Sequence, residues 1–221
     1  MFITISGPIG VGKSTVTRIL SQIMGFTSFF ETVEGHPYLE GLYREPHAYA
    51  FKTQAFFLRD RFEKHLISHN SKSNIVADRS IYEDVIFAEI LCNMGYMDKE
   101  DFYLTYLPHF KILVNLLPPP DLMICLRASL DTLMFRIASR GRNMEKDIDR
   151  SYMELLQNGY DKWIKEYPHK KLIVETDSLD LTCDLNEDWS FLVDTILKST
   201  VNGESFESNS LQIRKKLQPA Q

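Results

Sequence analysis

The sequence has few cysteines, no excess of positive charge and no long apolar run, and each shortage excludes a class of protein. Among its 221 residues only Cys92, Cys125 and Cys183 are cysteines. They are odd in number, widely spaced and without a Cys-x-x-Cys pair, which argues against a disulfide framework and a cysteine zinc site. Lys and Arg number 25 against 30 Asp and Glu, a formal charge of −5. A chain that grips nucleic acid through its phosphates reads basic, so no nucleic-acid partner is expected. No stretch approaches the roughly 20 apolar residues of a membrane span. The first cation is Lys13, so no basic segment precedes an apolar one as in a secretion signal. No membrane partner is expected, and the implied location is cytoplasmic. What is present is 44% hydrophobic and 12% aromatic residues, enough to bury the core of one domain.

Short apolar runs alternate with helical patterns. Residues 2–5, 26–30, 75–77, 122–126 and 172–174 read as strands that are continuously apolar rather than alternating. Apolar spacing predicts helices over 15–24, 49–66, 81–94, 107–117, 130–138, 151–167 and 189–197. This predicts an α/β fold, a parallel five-stranded sheet flanked by helices on both faces. After Ser199 the composition turns to Ser, Asn, Glu and Lys, so 1–198 reads as the domain and 199–221 as a flexible tail.

Gly7-Pro8-Ile9-Gly10-Val11-Gly12-Lys13-Ser14, followed by Thr15, matches G-x-x-x-x-G-K-[ST]. The glycines let successive backbone N–H groups turn inward around phosphate oxygens, and the next helix offers its positive end. Lys13 supplies a point charge for the outer phosphates, and the Ser14 hydroxyl is placed for Mg²⁺. The four fixed positions arise by accident on the order of once per hundred chains of this length. Here a strand precedes and a helix follows, as such a loop requires. Gly7, Gly10, Gly12, Lys13, Ser14 and Thr15 are therefore the expected contacts for a nucleoside triphosphate on a P-loop NTPase fold. The loop alone leaves kinase, GTPase, motor and plain binding module open.

Polar residues at strand ends narrow the choice, because open α/β sheets place their ligands there. Glu31 closes the second strand and Asp78-Arg79-Ser80 the third. Gln54 and Arg61 lie two helical turns apart, roughly 10.5 Å along one face. Arg136 and Arg140 are one turn apart, with Arg142 just beyond. Taken in order with the phosphate loop are Glu31-x-Val33, Tyr43, Gln54, Arg61, Asp78-Arg79-Ser80-Ile81-Tyr82 with Asp84, and Arg136-Ile137-x-x-Arg140-Gly141-Arg142-x-x-Glu145. In these motifs and their intervals the sequence resembles the deoxynucleoside kinase family, over about residues 2–197. It is similar to the deoxycytidine, deoxyguanosine and deoxyadenosine kinase branch, and Pro37-Tyr38-Leu39 and Met94-Gly95 look like the bacterial members.

The resemblance implies a role for each matched residue. Glu31 takes the proton of the sugar 5′-hydroxyl. Tyr43 and Glu145 hold the 3′-hydroxyl, and Gln54 pairs with the base, with Arg61 and Asp84 completing that edge. Arg79 lies at the 5′-hydroxyl and the transferred phosphate, Asp78 and Ser14 support Mg²⁺, and Arg136, Arg140 and Arg142 form an Arg-rich lid over the triphosphate. It further implies ATP as donor, a deoxynucleoside as acceptor, a place in nucleotide salvage, and a homodimer paired through helices, for which 86–91 and 107–117 are the apolar candidates. Two positions depart from the family. His36 stands where members carry an aromatic or amide residue near the sugar, and Met144 interrupts an acidic pair before Glu145.

The chemistry makes similar demands: an in-line acceptor, a carboxylate near its proton, and cations around the developing charge. Glu31 and Asp78 are both candidate bases. Asp78 follows an apolar strand as a Walker-B-like metal carboxylate does, which favours Glu31 as the base. Phe56, Phe57, Phe62 and Phe87 read as core, with one free to stack on a base, and His65, His69, His109 and His169 read as surface. A nucleoside monophosphate kinase resembling thymidylate kinase is the competing enzyme, and it calls for extra cations at the acceptor. A catalytically silent kinase-fold subunit is the competing non-enzyme, but such a chain tends to lose the loop lysine or the carboxylates. Gln54 can pair with adenine, cytosine or, flipped, guanine, whereas thymine has no exocyclic amine for Asp84. Purine deoxynucleosides and deoxycytidine are the expected substrates.

Overall fold

The computed structural model describes residues 1–146, 148–179, 189, 192–196, 198 and 206–208. The five expected strands are β1 (Phe2–Ser6), β2 (Thr27–Phe29), β3 (Ile75–Asp78), β4 (Leu122–Arg127) and β5 (Lys171–Glu175). They form one parallel sheet in the order β2-β3-β1-β4-β5. Every residue of β1 and β3 is buried, and all of β4 except Arg127. That is why these runs are largely apolar, with Thr4, Ser6 and Asp78 the polar exceptions in β1 and β3: helices cover both faces, and neither face can carry polar residues cheaply. A short β6 (Phe206–Ser208) pairs in parallel beside β5. It falls within 199–221, read from composition as a tail, and the other residues of that segment lie outside those described.

β1 sits between β3 and β4, where the direction of winding reverses, so its carboxyl end faces the crevice in which such sheets bind ligands. The register aligns Ile5 with both Asp78 and Ile124, and the Arg79 N–H donates to the Ile5 carbonyl at 2.9 Å. The phosphate loop and the Asp78-Arg79 corner therefore leave the sheet at one level.

Helix α1 (Lys13–Met24) buries Val16, Ile19 and Leu20 at i, i+3 and i+4, and ends at Gly25 in the left-handed conformation. A short α2 (Leu39–Arg44), which apolar spacing does not show, precedes α3 (Pro46–Asn70). Pro46 opens α3, where a missing N–H costs nothing, and extends the helix beyond the expected 49–66. The buried stripe of α3 is largely polar, holding Thr53, Gln54, Asp60, Arg61, His65 and Ser68. His65, read as surface, is thus a correction. It is 2% exposed, with Nε2 at 2.8 Å from the Pro118 carbonyl and its ring against Phe2 and Tyr82.

After β3 a 3₁₀ turn, Ile81–Glu83, leads into α4 (Asp84–Asn93). Ile86, Phe87, Ala88, Ile90 and Leu91 are buried in the chain's own core, so 86–91 cannot supply the expected interface. A π-helical turn, Asp101–Tyr106, opens α5 (Leu107–Leu116). Pro108 has no N–H to offer the preceding turn and its ring crowds the carbonyl four residues back, which accounts for the widened turn. Helix α6 (Leu130–Arg140) starts at Ser129, whose hydroxyl accepts from the Thr132 N–H, and α7 (Arg150–Glu166) starts at Asp149, whose carboxylate accepts from the Ser151 N–H. Of the expected helix over 189–197, the described residues 189 and 192–196 are helical, with Trp189, Leu192, Val193 and Ile196 buried. Cys92 and Cys125 are free and buried, while Cys183 lies outside the described residues.

Candidate active site

Three adjacent strands deliver the polar groups. Off β1, Gly7, Gly10 and Gly12 take φ of 146°, 83° and 103°, where side chains are strained. Space excludes them too: a Cβ on Gly7 would stand 2.6 Å from the Leu126 carbonyl oxygen, and one on Gly10 2.8 Å from Ile137 Cγ1. Lys13 curls over the loop, its Nζ donating to the Pro8 carbonyl at 2.8 Å. Burial, reinforced by Arg79, lowers its pKa to about 8. The Ser14 hydroxyl donates to Asp78 Oδ2 at 2.5 Å, joining the start of α1 to the end of β3. Burial pushes the Asp78 pKa up, against the opposing charge of Lys13.

Beyond β2, the Glu31 carboxylate lies between two guanidinium groups, Arg79 Nε at 2.7 Å and Arg61 Nη2. Burial alone would raise its pKa, but Arg79, Arg61 and Lys13 together hold it well below the usual carboxylate range. Arg61 also pairs with Asp84, which is wholly buried, and packs over the Phe57 ring at 4.7 Å. Arg79 packs over Phe87 at 4.8 Å. Its backbone is left-handed, φ 75°, a conformation that costs a bulky residue about 1–3 kcal/mol. The guanidinium offsets that cost through Glu31, the Gly7 carbonyl at 3.2 Å and the Tyr160 hydroxyl at 2.8 Å.

A cleft of about 910 Å³ opens over these strand ends, ample for a nucleoside beside a phosphate chain. Gly10, Gly12, Lys13, Ser14 and Thr15 line one side, and Tyr43, Gln54 and Arg61 the other. Glu31, Asp78 and Arg79 also line it, as do Arg136, Arg140, Arg142 and Glu145. Of the residues expected at the site, Gly7 and Asp84 do not line the cleft; Asp84 stands behind Arg61.

The three arginines of α6 and the following loop divide into two groups. Arg136 donates to the Val11 carbonyl at 3.2 Å and to Thr176 Oγ1 and carbonyl at 2.9 and 2.8 Å, tying α6 to the phosphate loop and the end of β5. Arg140 and Arg142 pair instead with Glu145, the latter at 3.4 Å. His36 does not line the cleft; its ring packs against Phe56 and Phe57, each at 4.3 Å between centroids, and burial lowers its pKa. Phe57 and Phe87, read chiefly as core, do line it, as does Tyr152 of α7, which no motif marks. Glu83 and Tyr160, also unmarked in the sequence, are buried behind the loop and bonded to each other.

A family model for deoxynucleoside kinases matches residues 3–202. A deoxyadenosine/deoxycytidine kinase of Bacillus subtilis is 39% identical over 190 residues, 83% of this chain and 86% of that one. A deoxyguanosine kinase of the same organism is 35% identical over 197 residues, 84% of this chain and 91% of that one. The structure of deoxyadenosine kinase from M. mycoides with dCMP and dCDP bound superposes with a TM-score of 0.78 at 30% identity, covering 90% of this chain and 100% of that one. The same M. mycoides kinase with bound dATP gives a TM-score of 0.76 at 31% identity, covering 89% of this chain and 99% of that one. A phosphate loop, a carboxylate between two arginines facing it, and relatives of this kind over nearly the whole length lead to one conclusion: the chain belongs to the deoxynucleoside kinase family and is an enzyme of nucleotide salvage that phosphorylates deoxynucleosides.

Proposed function

We propose that the chain transfers the terminal phosphate of ATP, with Mg²⁺, to the 5′-hydroxyl of a purine deoxynucleoside or deoxycytidine. The observation that carries this reading is the Glu31 carboxylate, held by Arg61 and Arg79 in the same cleft as Lys13 and Ser14. As the 5′-oxygen bonds to the terminal phosphorus and the bond to the leaving diphosphate breaks, Glu31 takes the hydroxyl proton. Arg79 and Lys13 stand where negative charge collects on the phosphoryl oxygens. Gln54 and Arg61 face the base, Tyr43 and Glu145 the sugar 3′-hydroxyl, and Arg140 and Arg142 close over the phosphates as a lid, with Arg136 anchoring its helix.

The residues fit a magnesium ion. The Ser14 hydroxyl and Asp78 are already paired, and Asp78 Oδ1 is a buried oxygen with no hydrogen-bond donor. Among the described residues no three His, Cys, Asp or Glu gather, so Ser14 and Asp78 would hold an ion that completes its shell from phosphates and water, as Mg²⁺ commonly does. Bound there, the ion neutralises charge on the phosphate chain. That task for Asp78 leaves Glu31 as the base.

A monophosphate acceptor fits less well, because Arg61 and Arg79 are already matched by Glu31 and Asp84. The buried free thiols of Cys92 and Cys125 accord with a reducing, cytoplasmic setting, and a homodimer belongs to the same reading. The test is Glu31→Gln. Turnover is expected to fall ~10²–10⁴-fold while deoxynucleoside binding persists. Near-wild-type turnover would move the base to Asp78, and faster reaction with deoxynucleoside monophosphates than with deoxynucleosides would favour the competing acceptor.

A further inference from the structure

Behind the phosphate loop lies a buried polar junction that does not line the substrate cleft. Glu83, in the 3₁₀ turn after β3, is wholly buried. Besides Arg79, four donors reach its carboxylate: Ser6 Oγ at 2.8 Å, the Gly7 N–H at 3.2 Å, the Tyr160 hydroxyl at 2.5 Å and the Ser80 N–H at 3.0 Å. Arg79 Nη1, 3.5 Å from the same carboxylate, donates to the Gly7 carbonyl and to the Tyr160 hydroxyl. Gly7 is thus held at both its backbone groups, the N–H by Glu83 and the carbonyl by Arg79. The Tyr160 hydroxyl accepts from Arg79 and donates to Glu83, a double task open only to the protonated phenol. Burial keeps it protonated by raising its pKa well above the ordinary value.

We propose that Glu83 and Tyr160 are positioning residues for phosphoryl transfer, fixing the first residue of the phosphate loop against the Arg79 guanidinium. Gly7 begins the loop that carries the donor, and Arg79 reaches across to Glu31 on the acceptor side, so this junction sets the separation between the two substrates. An apolar contact would hold α7 to the sheet without the cost of burying a carboxylate. What charge and hydrogen bonds add is direction, and a misplacement of about 1 Å at a remote site can cost ~10²-fold in rate. The inference rests on the role assigned to Arg79 at the transferred phosphate.

Tyr160→Phe is the deciding variant, because it keeps the ring against Phe87 and Trp163 and removes only the hydroxyl. Its kcat is expected to fall ~10-fold or more, while the deoxynucleoside Kd, titrated without donor, stays within about twofold. Glu83→Gln places an amide donor among donors and is expected to cost ~10²-fold in kcat, and less than that when Tyr160 is already Phe. A folded Tyr160→Phe enzyme with kcat within about twofold of wild type overturns the proposal, as does a loss of kcat matched by an equal loss of deoxynucleoside affinity. Should Glu83→Gln not fold, Tyr160→Phe decides alone. Arg79→Lys tests the premise separately: unchanged kcat there removes the role of Arg79 whatever Tyr160→Phe does.

Discussion

Arg61 is a cation shared by two carboxylates, one at the reacting centre and one buried behind it. Removing it strands Asp84, which has no exposure, and breaking a buried pair from one side costs about 3–5 kcal/mol. Arg61→Met is therefore expected to lower Tm by roughly 10 °C. Removing both charges, as Arg61→Met with Asp84→Ala, is expected to restore part of that loss in a thermal melt, since Glu31 keeps Arg79. The same double variant is expected to raise thymidine efficiency relative to deoxyadenosine, because the cleft loses the Arg61 guanidinium together with the carboxylate behind it that orients it. A wild-type enzyme that already prefers thymidine would overturn that view of the pair. Lys13 gives a second test. Its folded pKa of about 8 lies below the unfolded value of 10.5, so the cost of burying the ammonium is present in full below pH 8. That cost fades as pH rises through the window, and for this group alone stability rises with it. Donor phosphates favour the charged form, so triphosphate affinity is expected to weaken above pH 8 by up to about tenfold per unit, with proton uptake on binding. Calorimetry in two buffers of different ionisation heat measures both, and a flat affinity from pH 7 to 9 would count against it.

At the scale of elements, the phosphate loop is the tightest construction. Gly10→Ala would force a side chain into φ +83° with its Cβ 2.9 Å from the Leu133 carbonyl, on the helix that carries Arg136. Because that carbonyl is backbone, it cannot rotate aside. The expected outcome is loss of measurable triphosphate binding with deoxynucleoside binding retained, read by titrating each separately. This loop was fully legible in the sequence, since its glycines answer to backbone geometry that a pattern of residue types records. Strands β1, β3 and β4 were legible because burial on both faces leaves them largely apolar, whereas β2, at the sheet edge, has no buried residue. The buried face of α3 was not, because apolar spacing finds only apolar stripes and this one carries Gln54, Arg61 and His65. Gln54 and Arg61 stand out only by resemblance, and His65 carries no motif that would mark its burial. The resemblance implies Asp84 at the base edge, and the fold sets it behind Arg61, paired with it and off the cleft lining. Glu83 carries no sequence signal of its burial, because an acidic residue at a helix start ordinarily faces water. Its role as a junction depends on β1 and α7, which are remote in sequence.

For the whole molecule, the outer helical face leaves surface unaccounted for. Helix α5 has no buried residue, and with the π-turn before it exposes Tyr103, Leu104, Ile112 and Leu116, at 52, 74, 59 and 66%. Leu104, Ile112 and Leu116 recur at multiples of four residues, so they share one side of the helix. Side chains of this size on a single face amount to an apolar strip of the kind that marks an interaction site. A two-fold axis beside α5 would bury this strip against its own copy, since an isologous interface needs only one self-complementary face. The inward side of α5 meets α3, the helix of Gln54 and Arg61, so pairing would brace the wall of the cleft from outside. The chain is accordingly expected to be a dimer by light scattering at micromolar concentration, with a Tm that rises with protein concentration. Leu104→Glu with Ile112→Glu puts like charges on both copies of the strip. It is expected to give a folded monomer whose Tm no longer depends on concentration. A wild-type chain that scatters as a monomer at micromolar concentration would refute the interface, and a dimer that survives both substitutions would move it to another face.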